Sequence, residues 1–257
     1  MVVQTLQVLH LPINYPLCFL VFFSTLCSYN FHFLLGAIYL HKQLSANFLL
    51  QQKKRIIFFL TGAAGVALFL LPAQINIWLF FLAAFFTGLY SMPLLPVNMP
   101  AFVKNNGFAK TVLLAFTWMF VTAYLPMHQA GINIAAKLSI VLLFQRFVFM
   151  LILCLLFDCK DAATDKIIGF HSLATDVKPV YIKWCIYALF GLLFGINFLL
   201  QKNGLSLLDV VALSAITIIC FFVYLFSLQK RGYVFYYFWV DGLMILSALL
   251  TGLAAIV

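Results

Sequence analysis

The sequence predicts an all-α fold: a polytopic transmembrane helical bundle. Of the 257 residues, 66% are hydrophobic and only 8% are charged, a composition that excludes an ordinary soluble domain. The apolar residues fall into runs of about 20, the length that a helix needs to cross a bilayer. No polar stretch is long enough to fold separately, so we expect residues 1–257 to form a single integral membrane domain.

The apolar runs predict about eight complete spans and one partial helix at the N-terminal end. Residues 1–13 are apolar but too short to span, and we expect them to be the second part of a helix that is incomplete here. The complete spans are predicted at 15–39, 56–72, 75–95, 111–126, 132–157, 181–200, 205–228 and 233–257.

The basic residues collect in alternate loops of this predicted topology. Twelve of the 15 Lys and Arg residues fall on one side, Lys137 and Lys202 fall on the other, and Arg146 lies inside a span. The positive-inside rule makes the first side cytoplasmic. The net charge of +9 therefore reflects orientation in a lipid bilayer and does not indicate nucleic acid. We expect an inner or cytoplasmic membrane protein with the loop at 158–180 facing the cytoplasm; no pattern defines an oligomeric state.

Acidic residues are concentrated after the fifth predicted span. All six are Asp, and four lie in the stretch DCKDAATDKIIGFHSLATD. Asp158, Asp161 and Asp165 are spaced i, i+3, i+7, which puts them on one face of a helix. Clustered carboxylates suit a hard cation such as Mg²⁺, and Lys160 and Lys166 are placed to meet remaining phosphate charge. The alternative is a solvated polar loop between two membrane helices.

A few polar residues lie inside the predicted spans, where ionisable groups usually face the bundle interior. Arg146 lies about 18 Å deeper than Asp158 along a helix, and Asp241 lies at a comparable depth, so they are expected to pair. That pair is either structural or lines a cavity. Asn30 and His32 lie in the first span, where a lone His is more often a hydrogen-bonded interior residue than a ligand.

The aspartate stretch resembles the second aspartate-rich motif of the UbiA-type intramembrane prenyltransferases, DxxDxxxD followed by Gly and then Ser/Thr-Leu-Ala. The matching residues are Asp158, Asp161, Asp165, Gly169, Ser172, Leu173 and Ala174. The segment GLYSMP, with Tyr90 and Pro93, is similar to the tyrosine-proline segment of that family. Span number, loop polarity and motif position extend the resemblance loosely over the whole chain.

The resemblance implies a magnesium-dependent enzyme. Asp158, Asp161 and Asp165 would hold Mg²⁺ and bind a prenyl diphosphate, and the prenyl group would pass to an aromatic or other lipophilic acceptor at the cytoplasmic membrane face. The residues expected to contact substrate are Lys160, Lys166, Asn30, His32, Arg146 and Tyr90.

The chain departs from the family at its first motif, NDxxDxxxD. The best match begins at Asn30, but Phe31, Leu34 and Ile38 stand at the three Asp positions. Half of the usual clamp for metal and diphosphate is therefore missing, and Asn30 and His32 are the evident substitutes. The departure leaves a second hypothesis open: a catalytically degenerate member that binds an isoprenoid, a quinone or a membrane partner. A transporter or channel is the weakest hypothesis, since only polytopy and the buried Arg146 and Asp241 favour it.

Overall fold

The computed structural model describes residues 1–41, 51–91, 107–168, 171–229 and 231–256, and within these ranges the chain forms helices without any strand. The all-α prediction is therefore confirmed. The helices are α1 (Val2–Val8), α2 (Tyr15–His41), α3 (Lys53–Leu70), α4 (Ile77–Ser91), α5 (Gly107–Met119), α6 (Leu125–Gln129), α7 (Lys137–Ile168), α8 (Leu173–Asp176), α9 (Pro179–Lys202), α10 (Leu207–Ser227), α11 (Tyr233–Phe235) and α12 (Asp241–Ile256). Wide π-helical turns at Phe120–Tyr124 and Tyr236–Val240 join α5 to α6 and α11 to α12.

Six helices of the described chain are long and apolar enough to cross a bilayer, rather than the eight that the sequence predicted. They cover Tyr15–Ile38, Gly107–Gln129, Lys137–Ala163, Pro179–Lys202, Leu207–Ser227 and Tyr236–Ala255. The two exceptions are α3, which opens with three basic residues, and α4, which has 15 residues. At 1.5 Å per residue, the apolar part of each reaches about 22 Å, short of the roughly 30 Å hydrocarbon core.

The chain divides into two compact units, residues 14–104 and residues 1–13 with 105–257. In the unit 14–104, α2 packs against α3 through close backbone contact. A Cβ atom built on Gly62 would lie 2.7 Å from the Cys27 nitrogen, and one on Gly65 would overlap the Phe23 ring. Glycine is therefore required at both positions for the two helices to approach, as in many membrane helix pairs.

The other unit is built around α7. Nearly every residue from Val148 to Leu156 is buried, so this helix is apolar on all sides and occupies the centre of its unit. Helices α5, α8 and α9 pack against it, while α10 packs against α9 and α12. The central position of α7 fixes the two polar places that it carries, one at its C-terminal end and one near its middle.

The partial helix expected at the N-terminal end forms as α1, a helix of seven residues. It packs against α12 and α6, and Gln4 and Thr5 are buried with Leu6 and Val8. A short helix with buried polar side chains needs partners in the bundle for those groups, and Arg146 on α7 provides one of them.

Candidate functional site

The aspartate stretch is helical, because α7 continues past the apolar span as far as Ile168. Asp158, Asp161 and Asp165 therefore lie on a regular helix, where their spacing puts them along one side. This location argues against a loop between two helices for these three residues. Gly169, which belongs to the matched motif, lies outside the described residues.

Thr111, near the start of α5, is hydrogen-bonded to the first of these carboxylates. Its hydroxyl donates to Asp158 Oδ2 at 2.5 Å, and the Thr111 residue is buried. The hydroxyl bond offsets part of the cost of holding a carboxylate at the rim of an apolar core. Asp158 is therefore oriented towards Thr111.

Lys110, one residue earlier, adds a positive charge to the same end of the bundle. Its ammonium donates to the His171 carbonyl at 3.0 Å and interacts electrostatically with Asp158, Asp165 and Asp176. Neither Lys110 nor Thr111 was predicted as a site residue. A signal was available, because both lie near the start of α5, which begins at Gly107.

The segment after α7 is fastened to the N-terminus of α5. The Gly107 N–H donates to Asp176 Oδ2 at 3.1 Å, and His171 Nδ1 lies 2.7 Å from Asp176 Oδ1. A Cβ atom on Gly107 would lie 2.4 Å from the Ser172 carbonyl oxygen, so this contact requires glycine. The result is that α8 and the Asp-rich end of α7 are held against α5.

Lys160 is enclosed by aromatic rings rather than directed to an open site. Its Nζ lies 4.4 Å from the Tyr237 ring centroid, 5.5 Å from Phe157 and 5.6 Å from Tyr236, and 3.4 Å from Asp161 Oδ1. Only 9% of its side chain is exposed. The expected role of Lys160 as a substrate contact therefore requires that it leave these rings. Lys166, by contrast, is exposed in the last turn of α7.

Two carboxyl groups beyond the membrane span have pKa values that are shifted in opposite directions. Burial, together with the nearby Asp161, raises the pKa of Asp165 to about 6, and Lys110 opposes that shift. Burial alone would also raise the pKa of Asp176, but hydrogen bonds from His171, Thr175 and the Gly107 N–H leave it below its ordinary value. The negative charge of Asp165 is therefore destabilised by its surroundings, and that of Asp176 is stabilised.

The expected Mg²⁺ site can be compared with these positions. Asp158 is turned towards Thr111 and Asp161 towards Lys160, and among the described residues no three His, Cys, Asp or Glu side chains lie close enough together to hold a metal ion. The donor set has the right chemistry for a hard cation, but the arrangement does not fit one. The predicted convergence of the three carboxylates is not found, and Mg²⁺ binding itself stays a prediction.

Arg146 lies inside the bundle as expected, but its predicted pairing with Asp241 is wrong. Its Nη1 donates to Gln4 Oε1 and to Met1 Sδ, and its Nη2 donates to Thr5 Oγ1. Both predicted partners are described, and no ion pair joins them. Asp241 instead interacts electrostatically with Lys160. Lys160 lies 14 residues, or about 21 Å along α7, from Arg146. Depth counted from Asp158 was wrong, because α7 continues ten residues past Asp158 to Ile168, whereas Asp241 lies only eight residues after the start of α11 at Tyr233.

The remaining predicted residues lie in the unit 14–104. His32 stacks on Tyr90 with ring centroids 5.0 Å apart, so the structure brings these two together. The Asn30 amide donates to the Leu26 carbonyl of its own helix at 2.7 Å. Their sharing of a site with the Asp residues stays a prediction, and Pro93 lies outside the described residues.

Comparisons with protein-family models, with curated proteins and with solved structures give no match to this chain.

Proposed function

We propose that this protein is an intramembrane prenyltransferase that takes a prenyl diphosphate at the Asp-rich end of α7 and transfers its prenyl group to a lipophilic acceptor. The observation that carries the proposal is the cluster at that end, where Asp158, Asp161 and Asp165 follow one side of a helix and Lys110 adds a cation. The motif resemblance supplies the substrate class.

The reaction needs stabilisation of the charge that develops on the leaving group. The bond between the allylic carbon and the diphosphate oxygen breaks, and its electron pair leaves with the diphosphate. Lys110 is placed to stabilise that charge, because it already interacts with three carboxylates at this end of the bundle. The acceptor then bonds to the allylic cation and loses a proton, which Asp165, with its raised pKa, is suited to accept.

The proposed reaction requires Mg²⁺, and this requirement is measured in the experiment below. A magnesium ion, where bound, neutralises diphosphate charge and assists its departure. Binding one would require Asp158 and Asp161 to turn from Thr111 and Lys160, since both carboxylates have other partners.

A second candidate function is a degenerate relative that binds an isoprenoid, a quinone or a membrane partner without chemistry. Two observations favour it: Asn30, Phe31, Leu34 and Ile38 in place of the first aspartate motif, and the separate partners of Asp158 and Asp161. The two functions differ in one measurable respect, because only the enzyme releases pyrophosphate.

The deciding experiment measures Mg²⁺-dependent pyrophosphate release from a panel of prenyl diphosphates, with and without aromatic acceptors, using purified protein in nanodiscs. We expect release with the parent protein and none with Asp161→Ala, which stays folded because Asp161 is partly exposed at the helix end. Asp209→Asn removes a carboxylate on another helix and should leave release unchanged.

The other outcomes distinguish the two proposed functions. Binding of the diphosphate without release, lost in Asp161→Ala, would establish the degenerate relative. Equal binding by Asp161→Ala and the parent would show that the aspartates are a solvated helix end, and would remove the main support for both.

The proposal also requires the Asp-rich end of α7 to face the cytoplasm. We expect a single cysteine at Lys178 to react with a membrane-impermeant maleimide only after the membrane is opened, once the exposed Cys159 and Cys185 are replaced by Ser. Reaction from the outside of intact cells would reverse the topology and exclude cytoplasmic diphosphate as substrate.

A further inference from the structure

Arg146 is a buried cation whose described partners are all neutral. The residue is 1% exposed, near the middle of α7, and its guanidinium is bonded to the side chains of Gln4, Thr5 and Met1. No Asp of the described chain forms an ion pair with it. Arginine stays protonated in proteins, so this positive charge persists inside the membrane.

Neutral partners leave such a charge poorly compensated. Removing an ion from water has a free-energy cost of several kcal/mol unless an opposite charge or a full set of hydrogen bonds replaces the water. Here the Nε–H of Arg146 is buried without a hydrogen-bond partner among the residues that the structure describes. A guanidinium that lacks both a counterion and one of its bonds has unused capacity for an anion.

The position that an anion would take is already occupied by an oxygen atom. Gln4 Oε1 accepts from Arg146 Nη1 and lies 3.0 Å from Ser247 Oγ on α12. Two donors from different helices thus converge on one carbonyl oxygen that belongs to α1. A carboxylate in that position would keep both bonds and supply the missing charge.

The surroundings define the rest of such a ligand. Leu246 and Leu250, the neighbours of Ser247 on α12, pack into the apolar core, and Ile245 and Leu249 are exposed on its other side. A ligand that places a carboxylate at this depth must therefore have a long apolar chain. The part of the molecule that it would displace is the Gln4 side chain of α1, a helix of seven residues that is only marginally stable without its packing partners.

We propose that Arg146 and Ser247 form a binding site for the carboxylate of a long-chain fatty acid, in which Gln4 is the built-in occupant that the ligand replaces. The site is distinct from the Asp-rich end of α7, which is 12 residues away, or about 18 Å along the helix. It does not depend on prenyl transfer, and failure of either proposal leaves the other standing.

The test is equilibrium binding of radiolabelled palmitate to the purified full chain in nanodiscs, with hexadecanol as the neutral competitor. We expect one saturable site that palmitate fills and hexadecanol does not clear. Gln4→Glu places a carboxylate of the same size beside Arg146, so palmitate affinity should fall by at least about tenfold. Gln4→Leu removes the internal competitor, so affinity should rise several-fold, whereas Arg146→Gln should abolish binding.

Gln201→Glu is the matched control, because it adds the same charge at an exposed position on α9 and should change affinity by less than about twofold. The opposite directions expected for the two Gln4 variants separate a binding site from a purely structural Arg146, which would weaken folding in Gln4→Leu without creating affinity. Absence of saturable binding in both the parent and Gln4→Leu would overturn the proposal. Equal affinity in Gln4→Glu and the parent, or full competition by hexadecanol, would do so as well.

Discussion

Helix α7 carries charged side chains in two places, and their charges are compensated differently. At its C-terminal end, three carboxylates share one side with a hydroxyl from Thr111 and the ammonium groups of Lys110 and Lys160 nearby. Near its middle, the single charge of Arg146 contacts only neutral side chains. The end of the helix gathers several charges of both signs, whereas the middle isolates one.

The difference follows from the distance to water. Near a membrane surface, like charges are screened, and lysines extend to meet them. In the interior, every added polar atom must be matched by another, so a charge is held by whichever oxygen atoms the fold can bring to it. Polar contacts in the middle of α7 are therefore expected to be strong and specific, and those at its end more tolerant of substitution.

The largest effect is expected at Gln4. Gln4→Leu leaves the Arg146 guanidinium and Ser247 without their shared acceptor and should lower the free energy of unfolding by about 3 kcal/mol, whereas Gln4→Glu should be at least as stable as the parent. Thermal unfolding in detergent, followed by tryptophan fluorescence, measures both. Equal melting temperatures for the two variants would mean that the charge of Arg146 is compensated elsewhere.

A smaller effect is expected where the hydroxyl meets Asp158. Thr111→Val keeps the shape of the side chain but removes its donor, and we expect a loss of about 1–2 kcal/mol. Thr111→Ser retains the donor and serves as the control in the same unfolding measurement. If Thr111→Val unfolds at the same temperature as the parent, water has replaced the hydroxyl as the donor to Asp158. The end of α7 would then be accessible to water despite the 2.5 Å bond from Thr111.

Asp165 tests the same end through pH. Its pKa is raised to about 6, so the folded state binds more protons than the unfolded state between about pH 4 and 6, and its contribution to stability falls as the pH rises through that window. We expect Asp165→Asn to stabilise the protein by about 1 kcal/mol at pH 7, after allowance for solvent screening, and by nothing near pH 4. A stabilisation that is the same at both pH values would assign the effect to packing.

The smallest effect, with the opposite pH dependence, is expected at Asp176. Its pKa is lowered, so its contribution is present above the unfolded pKa and is lost as the pH falls below about 4. Asp176→Ala should cost about 0.5–1 kcal/mol at neutral pH, because the Gly107 N–H loses its acceptor. The difference from the parent should shrink as the pH falls below about 4; a difference that is the same at pH 7 and pH 3 would show that the side chain acts through packing.

Most of the helical layout was predictable, because runs of about 20 apolar residues have few other solutions. The described parts of α3 and α4 do not reach a full span: α3 opens with three basic residues, and the predicted span at 75–95 is described only as far as Ser91. The Asp side of α7 was predictable because helical spacing alone decides it.

The partners of Arg146 could not be predicted from spacing, because they depend on how α1, α7 and α12 are rotated about their axes. One signal was present and was not used. Gln4 and Gln7 are three residues apart on α1, and Ser247 and Thr251 are four apart on α12, so each helix shows a polar stripe. The structure joins the stripes, since Thr251 also donates to Gln7 Oε1 at 3.0 Å.

The contact between α1 and α12 has a consequence for how the protein is made. Gln4 and Ser247 are 243 residues apart in the chain, so α1 is made well before the helix that it packs against. At about 5–20 residues per second, that interval is roughly 10–50 s. In its later part, once α7 has been made, Gln4 and Arg146 are both in the membrane region without Ser247. A chain that ends before α12 therefore leaves the polar side chains of α1 without their partners in the membrane region. A membrane quality-control protease can recognise such groups and so distinguish an unfinished protein from a finished one.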